Sequence, residues 1–326
     1  MGRRLRSSLP LADYLNALVE ELRQLISKAL RWDADAIHRA RVTTRRLKAS
    51  LELLNPALSS EDWREFAKTL KQLRKILGPL RDLDVMLAHL TPLTRHRSCS
   101  AGVLWLTRWL HRQRSDLRRE RLRKHPANEL LSHLGIWWGL QPQTKDIEPL
   151  AQSFLKRVVP AQARAFVHSA QRLSQERHKD QNIGAEDIHA LRVQGKSLRY
   201  TPELAEPVGY TIPTPLLRSF KQLQDALGLW NDYVVLGQTA LEAALEEKLP
   251  RKDSRLYGQI LELARICHRA SEHHLRQFMK LWDKSGQDIL QQVTQVFRPG
   301  GLPLQAEPES TSKEHTSSEL ESLAAN

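Results

Sequence analysis

The sequence predicts an all-α protein that carries an internal duplication, and three observations lead there. Apolar residues recur at spacings of three and four along almost every segment, and no stretch alternates as a strand would. Glycine is sparse, with 14 in 326 residues, while 27% of residues are charged, a composition suited to amphipathic helices. The run His38-Arg-Ala-Arg41-Val42-Thr-Thr-Arg45-Arg46-Leu47-Lys48 returns as His189-Ala-Leu-Arg192-Val193-Gln-Gly-Lys196-Ser197-Leu198-Arg199.

The elements follow in order. Pro10 opens a first helix, Leu11 to Arg31, with Leu15, Leu18, Leu22, Leu25 and Ile26 at apolar positions. Asp33 or Asp35 can cap the second, which carries the first copy of the repeated run and ends before Pro56. Ser59 or Ser60 can cap a third, expected to stop at Gly78-Pro79, with a fourth from Arg81 to Leu90 before Pro92. A longer helix covers Val103 to Lys124, and a short apolar one Asn128 to Trp138. Gly139-Leu-Gln-Pro-Gln-Thr-Lys reads as a linker. The series then repeats: Pro149 to Gln175, Ala185 to Ala205, Pro215 to Leu227, Asn231 to Glu247, Ser254 to Lys284 and Gln287 to Phe297. From Arg298 the chain turns to Pro, Gly, Ser, Thr and Glu, the composition of a disordered tail. The expected organisation is one domain over 1–298, with halves at about 10–140 and 146–297, then an acidic tail over 299–326.

The duplication reaches past the first motif. Leu73-Arg-Lys-Ile-Leu77-Gly78 with Asp82 and Val85 matches Leu223-Gln-Asp-Ala-Leu227-Gly228 with Asp232 and Val235. Gly78 and Gly228 are expected to end one helix, leaving Asp82 and Asp232 in the first turn of the next, where a carboxylate suits the macrodipole. Arg108, Arg112, Arg119 and Arg123 match Arg265, Arg269, Arg276 and Lys280.

What repeats is positive charge. At 3.6 residues per turn, His38, Arg41, Arg45 and Lys48 fall within an arc of roughly 80°, as do His189, Arg192, Lys196 and Arg199. The third pair of stripes spans about 60° in each copy. Arg64, Lys68, Lys71 and Lys75 share another face, and its counterpart keeps Arg218 and Lys221 but has Asp225 for Lys75. A single basic helical face is most often a solvated surface; stripes repeated at fixed spacing point instead to a shared anion. The whole chain holds 50 Lys+Arg against 37 Asp+Glu, a formal net charge of +13. Such a field concentrates polyanions.

Several chemistries are disfavoured. Neither His38 nor His189 has a His, Cys or carboxylate at i+3 or i+4, so the metal-ligand reading is poor. A hydrogen-bonded histidine at a helix start and direct anion contact remain as alternatives, with nearby cations disfavouring the imidazolium. Asp82, Asp84 and Asp232 read as helix-end residues, with Asp82 also able to orient a neighbouring arginine. There is no Walker loop, Gly-rich cradle or credible nucleophile–base pattern. Trp105, Trp109, Trp137 and Trp138 read as core, and aromatics total 6%. Grip on single-stranded nucleic acid usually interleaves cations with stacking rings, so their scarcity in the stripes favours a ligand of phosphate alone. Cys99 and Cys267 match no metal or redox spacing, which fits a cytoplasmic setting. No stretch of 18 apolar residues exists, and no membrane role is expected.

The His-x-x-Arg-Val-x-x-Arg-Arg-Leu-Lys run, its second copy ending Leu198-Arg199-Tyr200, and the paired Leu-Gly…Asp elements resemble the CHAD family, the histidine-bearing α-helical domain. The likeness extends from about Pro10 to Phe297. It implies two pseudo-symmetric four-helix bundles facing each other, a basic central channel, and binding of inorganic polyphosphate without catalysis. Some members carry a fused triphosphate-hydrolase domain marked by Glu-x-Glu-x-Lys, a signature absent from this sequence. Gly195 and Ser197 stand in place of Thr44 and Arg46, which thins the second stripe.

The leading candidates for phosphate contact are Arg41, Arg45, Arg46, Lys48, Arg192, Lys196 and Arg199, headed by His38 and His189. Lys68, Lys71, Lys75, Arg218, Lys221, Arg112, Arg119, Arg269 and Arg276 form a second rank. No catalytic residue, metal or cofactor is expected. The expected partner is inorganic polyphosphate in the cytoplasm, with storage granules as one setting and nucleic acid as a competitor. The alternatives are a sequence-nonspecific RNA-binding protein and, with less support, an enzyme acting on polyphosphate or nucleotides.

Overall fold

The computed structural model describes residues 10–54, 60–140, 147–178 and 184–298. The acidic tail, Pro56, Ser59 and most of the expected linker lie outside the described residues. Within them, regular structure is helical throughout. The first half of the chain forms α1 (Leu11–Leu30), α2 (Ala34–Leu54), α3 (Glu61–Leu93), α4 (Ser100–Lys124), α5 (Ala127–Gly135) and α6 (Trp137–Leu140). The second forms α7 (Glu148–His178), α8 (Ala185–Tyr200), α9 (Thr214–Glu246), α10 (Leu249–Lys252), α11 (Ser254–Leu281) and α12 (Gln287–Val296). Local chemistry sets several starts. Asp33 Oδ1 accepts from the Ala36 amide at 2.8 Å, Ser60 Oγ from Trp63 at 3.2 Å, and Asp253 Oδ1 from Leu256 at 2.9 Å.

The two glycines do not end helices. α3 runs unbroken through Gly78-Pro79 and past Pro92, and α9 runs unbroken through Gly228. The reason is the apolar stripe. Leu73, Ile76, Leu77, Leu80, Leu83, Met86 and Leu90 are all buried at helical spacing, and breaking the helix at Gly78 would expose part of that run. Its burial outweighs the roughly 3 kcal/mol that an interior proline costs. Gly78 has a different job: a Cβ there would lie 3.1 Å from Arg41 Nη1, so the missing side chain lets the guanidinium come close. Asp82 and Asp232 are consequently mid-helix residues, not first-turn ones.

This continuity decides where the cores lie. Among the described residues there are two apolar clusters, and they cut across the two sequence halves. The larger takes α1, α2, α5, α6, α7, α8 and α12, with α3 up to Leu80, α9 up to Trp230 and α11 from Leu275. The smaller joins α3 from Leu83, α4 from Val103 to Leu110, α9 from Leu236 and α11 up to Cys267. The long helices α3 and α9 belong to both, and the changeover falls at the same relative point in each. Three of the four tryptophans read as core pack inward, Trp137 fully and Trp105 and Trp109 partly; Trp138 stays 43% exposed.

Gly195 shows how the second copy compensates for losing Thr44. Both positions are buried, but a Cβ at Gly195 would sit 3.0 Å from Cε2 of Phe166. Phe166 is fully buried and packs edge-on to Phe220 and Trp282, leaving it no room to retreat. Replacing Gly195 with valine should therefore destabilise the protein by about 1–3 kcal/mol, despite valine's better helix propensity. A fall in the urea midpoint at constant slope would register it, and an unchanged midpoint would refute the packing argument.

Candidate anion-binding cavity

Each repeated run supplies one helix. In α2, His38, Arg41 and Arg45 stand at i, i+3 and i+7, and in α8, Arg192, Lys196 and Arg199 share a face at i, i+4 and i+7. α2 packs on α8, and α3 on α9. These four helices enclose a cavity of about 510 Å3. His38, Arg41 and Arg45 line one wall, Arg192, Lys196, Arg199 and Tyr200 another. α3 adds Arg81, Asp82 and Val85, and α9 adds Gln224, Asp225, Gly228 and Asp232. Of these, Arg81, Asp82 and Asp232 fall in the intervals where the two apolar cores give way to each other, between Leu80 and Leu83 on α3 and between Trp230 and Leu236 on α9. Apolar packing stops there and charge takes over.

Five arginines and one lysine thus meet three aspartates around one small volume. Each aspartate has a nearby nitrogen partner: Asp82 lies 3.8 Å from Arg41, Asp225 2.6 Å from Lys221, and Asp232 3.5 Å from the Nε2 of the His89 ring. Tyr200 steadies two arginines from opposite halves. Arg45 Nη1 donates to its hydroxyl at 3.2 Å, and the guanidiniums of Arg45 and Arg199 each stand 6.0 Å from its ring centre. Glu203 bridges the halves as well, at 2.8 Å from Arg46 Nε and 3.4 Å from Arg199 Nε. The amide of Gln224 donates to the Gly195 carbonyl, tying α9 to α8. Arg192 Nε and Gln224 Oε1 are buried with no hydrogen-bond partner in the protein.

So many half-buried cations repel one another. Burial, followed by the Arg192 and Arg45 guanidiniums, pushes the Lys196 ammonium down to about 7, with Asp232 only partly opposing. Burial likewise lowers Arg41 and Arg192, although a guanidinium stays protonated. At the exposed rim, His38 is held below the ordinary histidine value, first by desolvation and then by Arg81, with Arg45 and Arg41 adding to it. The cavity's cations therefore disfavour one another's charge, a cost that a neighbouring anion offsets.

The remaining sequence candidates lie elsewhere. Arg46 turns to Glu203, away from the cavity lining. Lys48 and Lys71 line a neighbouring groove of about 340 Å3 with Arg74, whose Nη1 is buried without a partner. Arg218 and Lys221 line another, of about 300 Å3, which also includes Arg199. Lys68 and Lys75 are exposed on α3, Lys68 beside Glu65. His189 is exposed on α8 outside the cavity lining. The third stripe is also exposed: Arg112 faces Glu247 at 3.8 Å, Arg119 Asp116 at 3.9 Å and Arg269 Glu262 at 3.3 Å, with Arg276 on the same helix as Arg269.

Arg81, Arg74 and Glu203 escaped the sequence reading. A signal for Arg81 was present in the repeated Gly-x-x-x-Asp, Gly78 to Asp82 and Gly228 to Asp232. An i, i+4 pair marks one face of a continuous helix, and on such a helix Arg81 follows Gly78 by three. Arg74 sits by i+3 after Lys71. Nothing local identifies Glu203, which follows α8 and meets a residue 157 positions earlier.

The class defined here is an all-α domain with a cationic cavity walled by two sequence-similar helices. This chain belongs to the CHAD family, whose model, described as CHAD domain, matches residues 13–241. The crystal structure of the CHAD domain from the plant Ricinus communis has the same fold, with a TM-score of 0.59 at 21% identity over 83% of this chain and 92% of that one. Two relatives from Mycobacterium tuberculosis are also similar. Uncharacterized protein Rv2226 of strain H37Rv is 29% identical over 287 residues, and Uncharacterized protein MT2285 of strain CDC 1551 is 28% identical over 284. Each alignment covers 81% of this chain and 52% of the relative, so the chain spans about half the length of the curated relatives it matches. Among the described residues, no helix is long and apolar enough to cross a membrane.

Proposed function

We propose that this protein binds inorganic polyphosphate in the cavity between α2, α3, α8 and α9, without chemical change to the ligand. One observation carries the reading: the cations of both sequence copies meet around a single volume. Arginine forks match phosphate oxygens bidentately, and Lys196 adds point charge. The ligand is a linear polymer in this reading because one cationic groove adjoins the cavity through Arg199 and reaches Arg218 and Lys221, and a second, lined by Arg74, Lys71 and Lys48, lies on the same helices α2 and α3. Arg45, a cavity residue, acts electrostatically on Arg74. The ligand is phosphate without bases because Tyr200, the ring in the lining, is occupied between two guanidiniums. A cytoplasmic site of action, with storage granules as reservoir, belongs to the same proposal.

Competition tests it. At matched phosphate concentration and near-physiological salt, long-chain polyphosphate should displace bound RNA, while RNA should fail to displace polyphosphate. The reverse order would establish the RNA-binding alternative. Affinity should fall steeply with salt for either ligand, as counterions are released, so the salt slope alone does not discriminate. Incubation with polyphosphate and a divalent metal should yield no orthophosphate or shortened chains; their appearance would convert the binder into an enzyme.

A further inference from the structure

Lys196 differs from the arginines of the cavity in carrying an amine, which can lose its proton where a guanidinium cannot. It is largely buried, and among the described residues no carboxylate lies within 4.0 Å of its ammonium. The charged groups acting on it are Arg192 from its own helix, Arg41 and Arg45 from α2, and Asp232 from α9. Crowding by guanidiniums in a desolvated site favours the neutral amine, and a neutral amine is a nucleophile. The other lysines among the described residues are exposed, and several are held by carboxylates, Lys48 by Glu52, Lys68 by Glu65 and Lys221 by Asp225. An uncharged amine beside arginines suited to phosphate oxygens is the environment that would activate it toward an acyl phosphate. Such a reagent carries its own docking group and a reactive carbonyl one bond away.

We propose that Lys196 is a site of covalent acylation by small acyl phosphates, with Arg41, Arg45 and Arg192 holding the phosphate while Nζ attacks the acyl carbon. In that step the N–C bond forms and the bond from the acyl carbon to the phosphate oxygen breaks. Inorganic phosphate leaves with the electron pair, and the Nζ proton passes to solvent. Nothing is oxidised or reduced. The amide product has no charge, so acylation removes one cation from the cavity and lowers its hold on polyanions. The low proton affinity of Lys196, near neutrality, keeps the amine abundant in the free protein, and because burial is its largest cause, a single docked phosphate, unlike a polyanion filling the cavity, offsets it only in part.

This rests on the proposed reading of the cavity as a phosphate site, and the test separates the two. The full chain is treated with acetyl phosphate at pH near 7.5, and acetylation at each lysine is followed by peptide mass spectrometry. Lys196 should react at least about tenfold faster than Lys75 and Lys280, exposed on α3 and α11, since a larger fraction of it is uncharged. Excess long-chain polyphosphate should slow Lys196 by about tenfold or more and leave Lys75 and Lys280 as they were. Acetic anhydride, which carries no phosphate, should favour Lys196 less strongly. A Lys196 rate no greater than those of Lys75 and Lys280 overturns the proposal, and so does a preference seen with the anhydride and not with acetyl phosphate. Tight polyphosphate binding with an unreactive Lys196 sinks the acylation alone. A reactive Lys196 on a protein that does not bind polyphosphate leaves acylation standing and removes the polyphosphate reading.

Discussion

Replacing Arg45 and Arg192 together by glutamine should weaken long-chain polyphosphate binding by about a thousandfold or more. The two guanidiniums come from opposite copies of the repeated motif and line the same cavity. Removing one member of a buried, hydrogen-bonded charge pair costs about 2–5 kcal/mol of binding, and two such losses at the lower end give that factor. The same change at Arg39 should cost less than about threefold. Arg39 points from the other side of α2, 2.7 Å from Glu21, and contributes only screened long-range charge. Stability provides the control for misfolding. The cavity cations repel each other in the free protein, so the double variant should unfold no more easily than the parent. Calorimetric titration at near-physiological salt measures the affinities. Equal losses at Arg39 and Arg192 would show that net charge, not the cavity, captures the ligand.

Polyphosphate affinity should fall by about 10- to 100-fold between pH 7 and pH 9, through Lys196. In the free protein this group titrates at about 7. A bound polyanion offsets the guanidinium field and returns the ammonium toward the ordinary lysine value near 10.4. Binding above neutrality then takes up one proton, and affinity drops by up to tenfold for each pH unit while the free form is neutral and the bound form charged. Below neutrality Lys196 is charged in both states and the slope from it vanishes. His38, also held below its usual value, adds a second uptake step at lower pH, so affinity should rise again as pH falls below the ordinary histidine range. Measuring affinity across this range at constant ionic strength tests the linkage, and proton uptake in two buffers of different ionisation enthalpy confirms its sign. Lys196→Met should bind more weakly at pH 7 and lose most of the slope above it. A parent affinity that is flat from pH 7 to 9 would mean that Lys196 does not meet the ligand.

The helical class and the starts of α1, α2 and α3 were legible because they are local. Apolar spacing and capping oxygens act within one or two turns, and Asp33 and Ser60 do in the structure what their sequence positions suggest. The misreading at Gly78-Pro79 came from the same local logic. Glycine followed by proline is a stop signal in isolation, but here a long apolar stripe is buried on both sides and the helix continues through it. That single outcome carried others with it. Asp82 and Asp232 became mid-helix residues, Arg81 joined the cavity, and the two apolar cores came to divide the molecule crosswise. Glu203 and Gly195 were illegible for a different reason. The partners that explain them, Arg46 and Phe166, are distant in sequence, and no pattern along the chain announces them.

The sequence by itself determined which cations share a helical face, because a face depends only on the angle between successive residues. It could not rank the faces against one another. In the folded protein the His38-to-Arg45 and Arg192-to-Arg199 faces meet around one volume, while Arg112, Arg119 and Arg269 pair with carboxylates on the exterior. Tertiary structure alone decided that division, since it follows from where the continuous helices α3 and α9 place the boundary between two cores. At that boundary apolar packing gives way to charge, and only part of the charge is compensated within the protein, Arg41 by Asp82 and Arg199 by Glu203.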